Sequence, residues 1–193
     1  MNRLQTYLDQ LPDGWASHPD AQAKAGLFHA HQSDVTTPRT SLPTPLRELL
    51  DELPPVNMWV PDVLWVALGL AHADALFPDD DDAYLDDERR RAAQLMTRKT
   101  YQMLKLMTSP TMYLRSAPAR WGSFHRGSTL EVVSSSKSDL QLNLQAPAGL
   151  FPKLFLQQVA LTFEHMTAHT AEWAQVDLHD LRDDGAVFRF AWG

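Results

Sequence analysis

The sequence predicts an α+β fold: an N-terminal helical layer packed with a C-terminal ββαββ four-stranded antiparallel sheet. Three observations predict it. The apolar residues change period near Thr129, from helical spacing to strict alternation. Two pairs of alternating segments are each joined by a short polar turn, as hairpins require. Between the pairs lies one long helical stretch, Pro152 to Ala171.

The elements follow in order. Leu4, Tyr7, Leu8 and Leu11 fall at helical spacing before Pro12-Asp13-Gly14 interrupts the chain. Thr36 to Pro45 holds Pro38, Pro43 and Pro45, which favour an extended linker. This places residues 1–44 as a partly irregular N-terminal extension and 45–193 as a single α+β domain. Pro45 to Leu53 reads as a short amphipathic helix stopped by Pro54-Pro55. A second helix is expected from Trp59, with Pro61 in its first turn, where a missing N–H costs nothing. Val60, Val63, Leu64, Ala67, Leu68 and Ala71 form its apolar stripe, widened by Trp65, and Pro78 ends it. The acids Asp79 to Asp82 precede a long helix, Tyr84 to about Thr108, with Leu95, Tyr101, Leu104 and Leu106 inward. Ser109-Pro110 restarts the chain into a helical segment through Trp121.

The first strand is Thr129 to Val133. In the second, Leu140, Leu142 and Leu144 alternate with Gln141, Asn143 and Gln145, giving one dry and one wet face. After the long helix, Ala174, Val176 and Leu178 alternate with polar residues. Asp183-Asp184-Gly185 supplies a turn, and Phe188, Phe190 and Trp192 share a face of the last strand.

Composition narrows the function classes. The 193 residues are 44% apolar and 21% charged, as in an ordinary globular domain. The absence of cysteine excludes disulfides, thiolate catalysis and cysteine-ligated metal. A net charge of −7 argues against nonspecific binding to nucleic acid or anionic lipid, which needs clustered cations. The start of the chain lacks the apolar core of a signal peptide. The most apolar run, Met58 to Phe77, would bury Asp62, His72 and Asp74 in a bilayer, so it reads as a core helix. The expected location is cytoplasmic, with neither nucleic acid nor membrane as partner.

Three constellations invite chemistry. His165 and His169 stand at i, i+4 on one helix, so both rings reach one divalent ion, with Glu172 or Glu164 as an oxygen donor. The alternative is that two imidazoles near a helix C-terminus simply gain from its dipole. Glu-His-x-x-x-His also lacks the general base that a His-Glu-x-x-His metalloprotease carries between its ligands. His29-Ala30-His31 is a weaker hint of the same kind. The acid run at Asp79 has no glycine at its sixth position and reads as helix capping, not a calcium loop. Trp121, Phe124, His125 and Arg126 combine aromatic rings with a protonatable group and a guanidinium, and are expected to line a ligand cleft. The alternative makes Trp121 and Phe124 core, His125 a partner for the backbone, and Gly127 a left-handed helix cap. No nucleophile elbow, dinucleotide motif or phosphate loop is present.

Further residues carry a resemblance. These are the Ser109-Pro110 break, the Arg120-Trp121 pair, Phe124-His125 with Gly127, the Ala146-Pro147 turn, the long helix and the closing strand to Trp192. Together they resemble an uncharacterised, largely myxobacterial family related to the haem-NO-binding/4-vinyl-reductase-type ligand-binding domain superfamily. The resemblance implies a helical layer on a four-stranded antiparallel sheet, and a helix–sheet cleft that takes small or lipophilic ligands. A gap there filled by side chains would discard the ligand sensor and leave protein interaction. The haem-binding branch uses a proximal histidine on a helix ahead of the sheet and a Tyr-x-Ser-x-Arg motif. This chain offers His72 and, in another order, Tyr113, Arg115 and Ser116, so haem is not expected.

The expectation is a non-enzymatic small-ligand sensor or protein-interaction module. Its partner would be a small apolar ligand or a protein, a second copy of the chain included. The alternatives are a metal-dependent enzyme using the His165/His169 face and a structural subunit of a larger assembly.

Overall fold

The computed structural model describes residues 2–34, 37–96 and 109–193. The chain begins with helix α1 (Arg3–Gln10), strand β1 (Gln22–Lys24) and helix α2 (Ala25–Asp34). Leu4, Tyr7, Leu11, Ala23 and Phe28 are buried in the same apolar core as the rest of the molecule. The stretch expected as an extension therefore supplies core residues. Asp74 explains how α1 docks: its carboxylate accepts from the Arg3 and Leu4 amides, both at 3.0 Å, capping a helix end remote in sequence.

After a 3₁₀ turn (Arg39–Ser41) comes α3 (Thr44–Asp51), at the place the proline spacing predicts. The next expected helix begins later than its pattern suggests. Trp59–Pro61 is strand β2, paired antiparallel with β1, and α4 runs Asp62–Leu76. The difference has a physical reason: Pro61 lacks an amide for the helix, and the Asp62 amide bonds to Ala21 O at 2.9 Å. Helix α4 is buried on most of its circumference, as a helix apolar all round must be.

Helix α5 (Asp81–Met96) starts where Asp80 Oδ1 accepts from the Ala83 amide, so an acid of the run caps it. Its expected continuation to Thr108, with Tyr101, Leu104 and Leu106 inward, lies outside the described residues, as does the side chain of Leu95. The helical segment after Ser109-Pro110 divides at Ser116 into α6 (Pro110–Arg115) and α7 (Ala117–Phe124). His125–Arg126 then forms β3, which completes a small antiparallel sheet in the order β2-β1-β3.

Gly127 turns the chain out of that sheet with φ +72°, and a Cβ there would meet Ala21 Cα at 2.7 Å. It links two sheets, where a helix cap was expected, and the close approach requires glycine. The second sheet comprises β4 (Thr129–Ser135), β5 (Asp139–Gln145), β6 (Ala174–Arg182) and β7 (Gly185–Trp192). Its order is β4-β5-β7-β6, antiparallel throughout. Both expected hairpins are present, with β5 and β7 as the central pair. Helix α8 (Lys153–Ala168) lies between the hairpins in sequence and covers the dry face.

Candidate functional site

Helices α2, α4 and α5 bring polar side chains together inside an apolar layer. Helical spacing explains how. On α5, Tyr84, Asp87, Glu88 and Arg91 fall at i, i+3, i+4 and i+7, a polar stripe. On α4, His72 lies one turn after Leu68 and is 2% exposed. On α2, His31 follows the buried Phe28 by three residues.

The His31 ring packs edge-on to Trp65 and to His72, each at 5.9 Å between centroids. His72 shares a 2.7 Å hydrogen bond through Nδ1 with Thr37 Oγ1, and its Nε2 stands 3.6 Å from Asp87 Oδ2. Arg91 reaches the same carboxylate at 3.2 Å and bonds to Glu88. Glu88 accepts from Gln158 Nε2 at 2.9 Å, and Tyr84 donates to Gln158 Oε1 at 3.1 Å, so the network reaches α8.

Burial and the Arg91 charge both disfavour protonation here, pushing the His31 pKa down to about 3. The same two causes bring His72 down to about 4, with Asp87 only partly offsetting them. Burial also raises the Glu88 carboxyl, against the pull of Arg91.

Beside this network lies a cavity of about 280 Å³. Its polar wall is His31, Gln32, Thr37 and Arg39, and its apolar wall is Leu42, Leu50 and Leu68. Arg39 Nη2 donates to Leu50 O at 3.2 Å. Arg39 Nη1 and the Nε2 atoms of His31 and His72 are buried with no hydrogen-bond partner among the described residues. Buried polar atoms are rarely left so, and each one asks for a partner. The arrangement can bind and orient a small polar molecule. Thr37 Oγ1 on His72 Nδ1 sets a hydroxyl beside an imidazole, but with its pKa down at about 4 that ring is a weak base for activating it.

The residues expected at a cleft mouth fall apart into different roles. Trp121 is buried, stacks on His125 at 4.1 Å and donates through Nε1 to Ser128 Oγ at 3.0 Å. His125 is also buried, with Nδ1 on the Asp62 carboxylate at 3.1 Å. Arg126 lies over the Trp59 ring at 3.9 Å, which Lys24 also caps at 3.8 Å. Phe124 is exposed. Trp121 and His125 are thus joined to each other, while Phe124 and Arg126 point elsewhere, and the cavity wall includes none of the four. The Asp62 partner was missed by sequence reasoning. Its signal was a carboxylate opening an otherwise apolar helix directly after Pro61.

His165 and His169 come within 5.5 Å between ring centroids in the last turn of α8 and just after it. Glu164 accepts from the Val176 amide at 3.4 Å. Among the described residues no three side chains of the metal-donating kinds converge on one point.

The helix–sheet gap implied by the resemblance is filled. Phe163 of α8 packs edge-on to Phe188 and Phe190, 5.8 Å from each. Leu140, Leu142 and Leu144 beneath are fully buried. Among the described residues a packed aromatic and leucine layer leaves no cleft there, because protein interiors close at crystal-like density, and a sensor built on that gap is discarded.

The described residues do not fit a haem either. His72 is held by Thr37 on one nitrogen, faces Asp87 with the other, and is ringed by His31, Phe77 and Tyr84. The cavity beside it holds about 280 Å³, while a single benzene ring already fills a cavity of about 150 Å³. Tyr113 donates to Met166 Sδ and Arg115 to Ser135 Oγ, while Ser116 donates to the Tyr113 carbonyl oxygen, so the three side chains do not converge on one acceptor. The stretch from Thr97 to Thr108 contains no histidine.

No helix among the described residues is long and apolar enough to cross a membrane. No family model matches the chain, and no curated protein does. Among solved structures it is similar to an Fe(II) unliganded H-NOX protein mutant from K. algicida. The TM-score is 0.61 at 10% identity, covering 88% of this chain and 96% of that one. A structure from a study of heme distortion in the H-NOX family aligns at a TM-score of 0.46 and 10% identity, over 88% of this chain and 92% of that one. At this identity the first likeness is one of architecture: the chain has an H-NOX-like α+β fold, with helices first and the four-stranded antiparallel sheet last.

Proposed function

We propose that this protein is a small-ligand sensor of H-NOX-like fold, and that its ligand occupies the His31/Arg39 cavity in place of a haem. The observation that carries this reading is a cavity of about 280 Å³ walled by His31 and Arg39, each with a buried nitrogen that has no hydrogen-bond partner among the described residues. Among the described residues the hydroxyl–imidazole pair at the cavity is Thr37 with His72, whose pKa of about 4 makes it a weak base, so the reading is of binding and not of a reaction. Reporting is supported by the polar chain that leaves the cavity through Thr37 and His72, passes Asp87, Arg91 and Glu88, and reaches Gln158 on α8. A ligand that reorders Thr37 would bias that chain, and α8 roofs the sheet.

Native mass spectrometry of protein purified from cells tests this. The expected result is a non-covalent small molecule retained by the wild-type chain and lost from a folded Leu42→Trp variant, whose indole fills the cavity. A wild-type chain that arrives bare, or a folded variant that keeps the molecule, overturns the reading.

A further inference from the structure

We infer that the cavity takes a monocarboxylate with a short apolar tail, its carboxylate on Arg39 and His31 and its tail among Leu42, Leu50 and Leu68. This rests on the cavity being the ligand site.

Charge decides the class. Deeper in the network the charges are matched: Arg91 stands against Asp87 and Glu88. Arg39 is the charged side chain in the cavity wall, and no carboxylate among the described residues pairs with it. Its Nη2 is anchored on Leu50 O and Nη1 has no hydrogen-bond partner among the described residues, so a small turn of the guanidinium offers one arm of its fork to an acceptor in the cavity. A planar fork suits a carboxylate, and the charge-assisted bond is stronger than one to a neutral acceptor. His31, a second residue of the same wall, has an Nε2 without a hydrogen-bond partner among the described residues. Burial keeps that ring neutral, so in its Nε2–H form it donates without adding a second positive charge.

The rest of the wall decides the remainder of the molecule. Leu42, Leu50 and Leu68 offer no polar atom, so a multiply charged anion would place oxygens against leucine. An alkyl or phenyl tail would instead leave water. With benzene filling about 150 Å³, a volume of about 280 Å³ holds roughly ten heavy atoms.

Calorimetric titration of the full chain at neutral pH, with hexanoate, butyrate, hexanamide and inorganic phosphate as probes, tests the class. Hexanoate is expected to bind about tenfold or more tighter than hexanamide, and several-fold tighter than butyrate. Arg39→Gln should abolish the preference for the acid over the amide. Should that variant fail to fold, the methyl resonances of Leu42, Leu50 and Leu68 in the wild-type chain provide the second readout, and hexanoate is expected to shift them. Equal binding of acid and amide, tighter binding of phosphate, or unmoved methyls would overturn the inference. If a cellular molecule is nevertheless retained and lost on Leu42→Trp, the carboxylate class alone is wrong. If no molecule is retained and no probe binds, the ligand cavity fails with it.

Discussion

At the scale of single residues, the aromatic cluster around Trp121 shows how a residue can look functional and be placed for packing. Its ring stacks on the His125 imidazole, Phe151 packs edge-on to both, and its indole N–H is used by Ser128. Trp121→Ala removes a buried aromatic and also leaves Ser128 without that donor. The expected cost is about 3–5 kcal/mol, read from urea denaturation. A loss below about 1 kcal/mol would mean that the ring is dispensable to the core. The sequence carried half of this. An i, i+3 aromatic pair before a glycine predicts a core contact for Trp121, but Phe124 of the same pair is exposed. Helical spacing defines a face without saying how wide a strip of it is covered. Asp62 was legible only as an acid out of place, since its histidine lies 63 positions away.

At the scale of elements, α1 is a short helix whose stability comes from where it docks. Isolated helices of this length are marginal in water. Its own N-cap, Asn2, accepts from the Gln5 amide, and Asp74 of α4 takes the Arg3 and Leu4 amides. Asp74→Ala should therefore destabilise by about 1–2 kcal/mol, the ordinary cost of a lost cap. Hydrogen exchange would then show the α1 amides losing protection before those of β5 and β7. Uniform loss across all elements would contradict the assignment of Asp74 to the docking of α1. The apolar spacing of α1 was plain in the sequence, but its membership of the core was not, because the partner carboxylate comes from another helix. The start of α4 shows the reverse case. Trp59 to Pro61 has residues that suit either a helix start or a strand. Pairing with β1, itself distant in sequence, decides for the strand.

At the scale of the whole molecule, two buried neutral histidines make stability depend on pH. In the unfolded chain they titrate near 6.5. In the fold they resist protonation until His72 reaches about 4 and His31 about 3. Between those limits the unfolded state binds more protons, so stability falls as the pH drops from about 6.5 toward 4. For His72 alone, 2% exposed, the loss at pH 5 is about 2 kcal/mol. His72→Gln removes that contribution. The stability difference between wild type and variant should accordingly change by about 2 kcal/mol between pH 7 and pH 5 in urea titrations. An unchanged difference would mean that His72 is already protonated in the fold.

By itself the sequence determined the layers. The switch from helical spacing to alternation placed the four strands of the larger sheet, though not the small sheet of β1, β2 and β3, the Asp183-Asp184-Gly185 turn closed the second hairpin, and the absence of cysteine and the scattered charge removed whole classes of chemistry. These are local properties, written in neighbours a few positions apart. The tertiary structure alone decided the site. His31, Arg39, His72 and Arg91 come from three helices and a turn. The lowered pKa values of His31 and His72, and the nitrogens left without a partner among the described residues, arise only when packing removes water from between those elements. The same packing closed the helix–sheet gap, since whether facing aromatic rows interlock or part is set by the distance between layers, which periodicity does not encode.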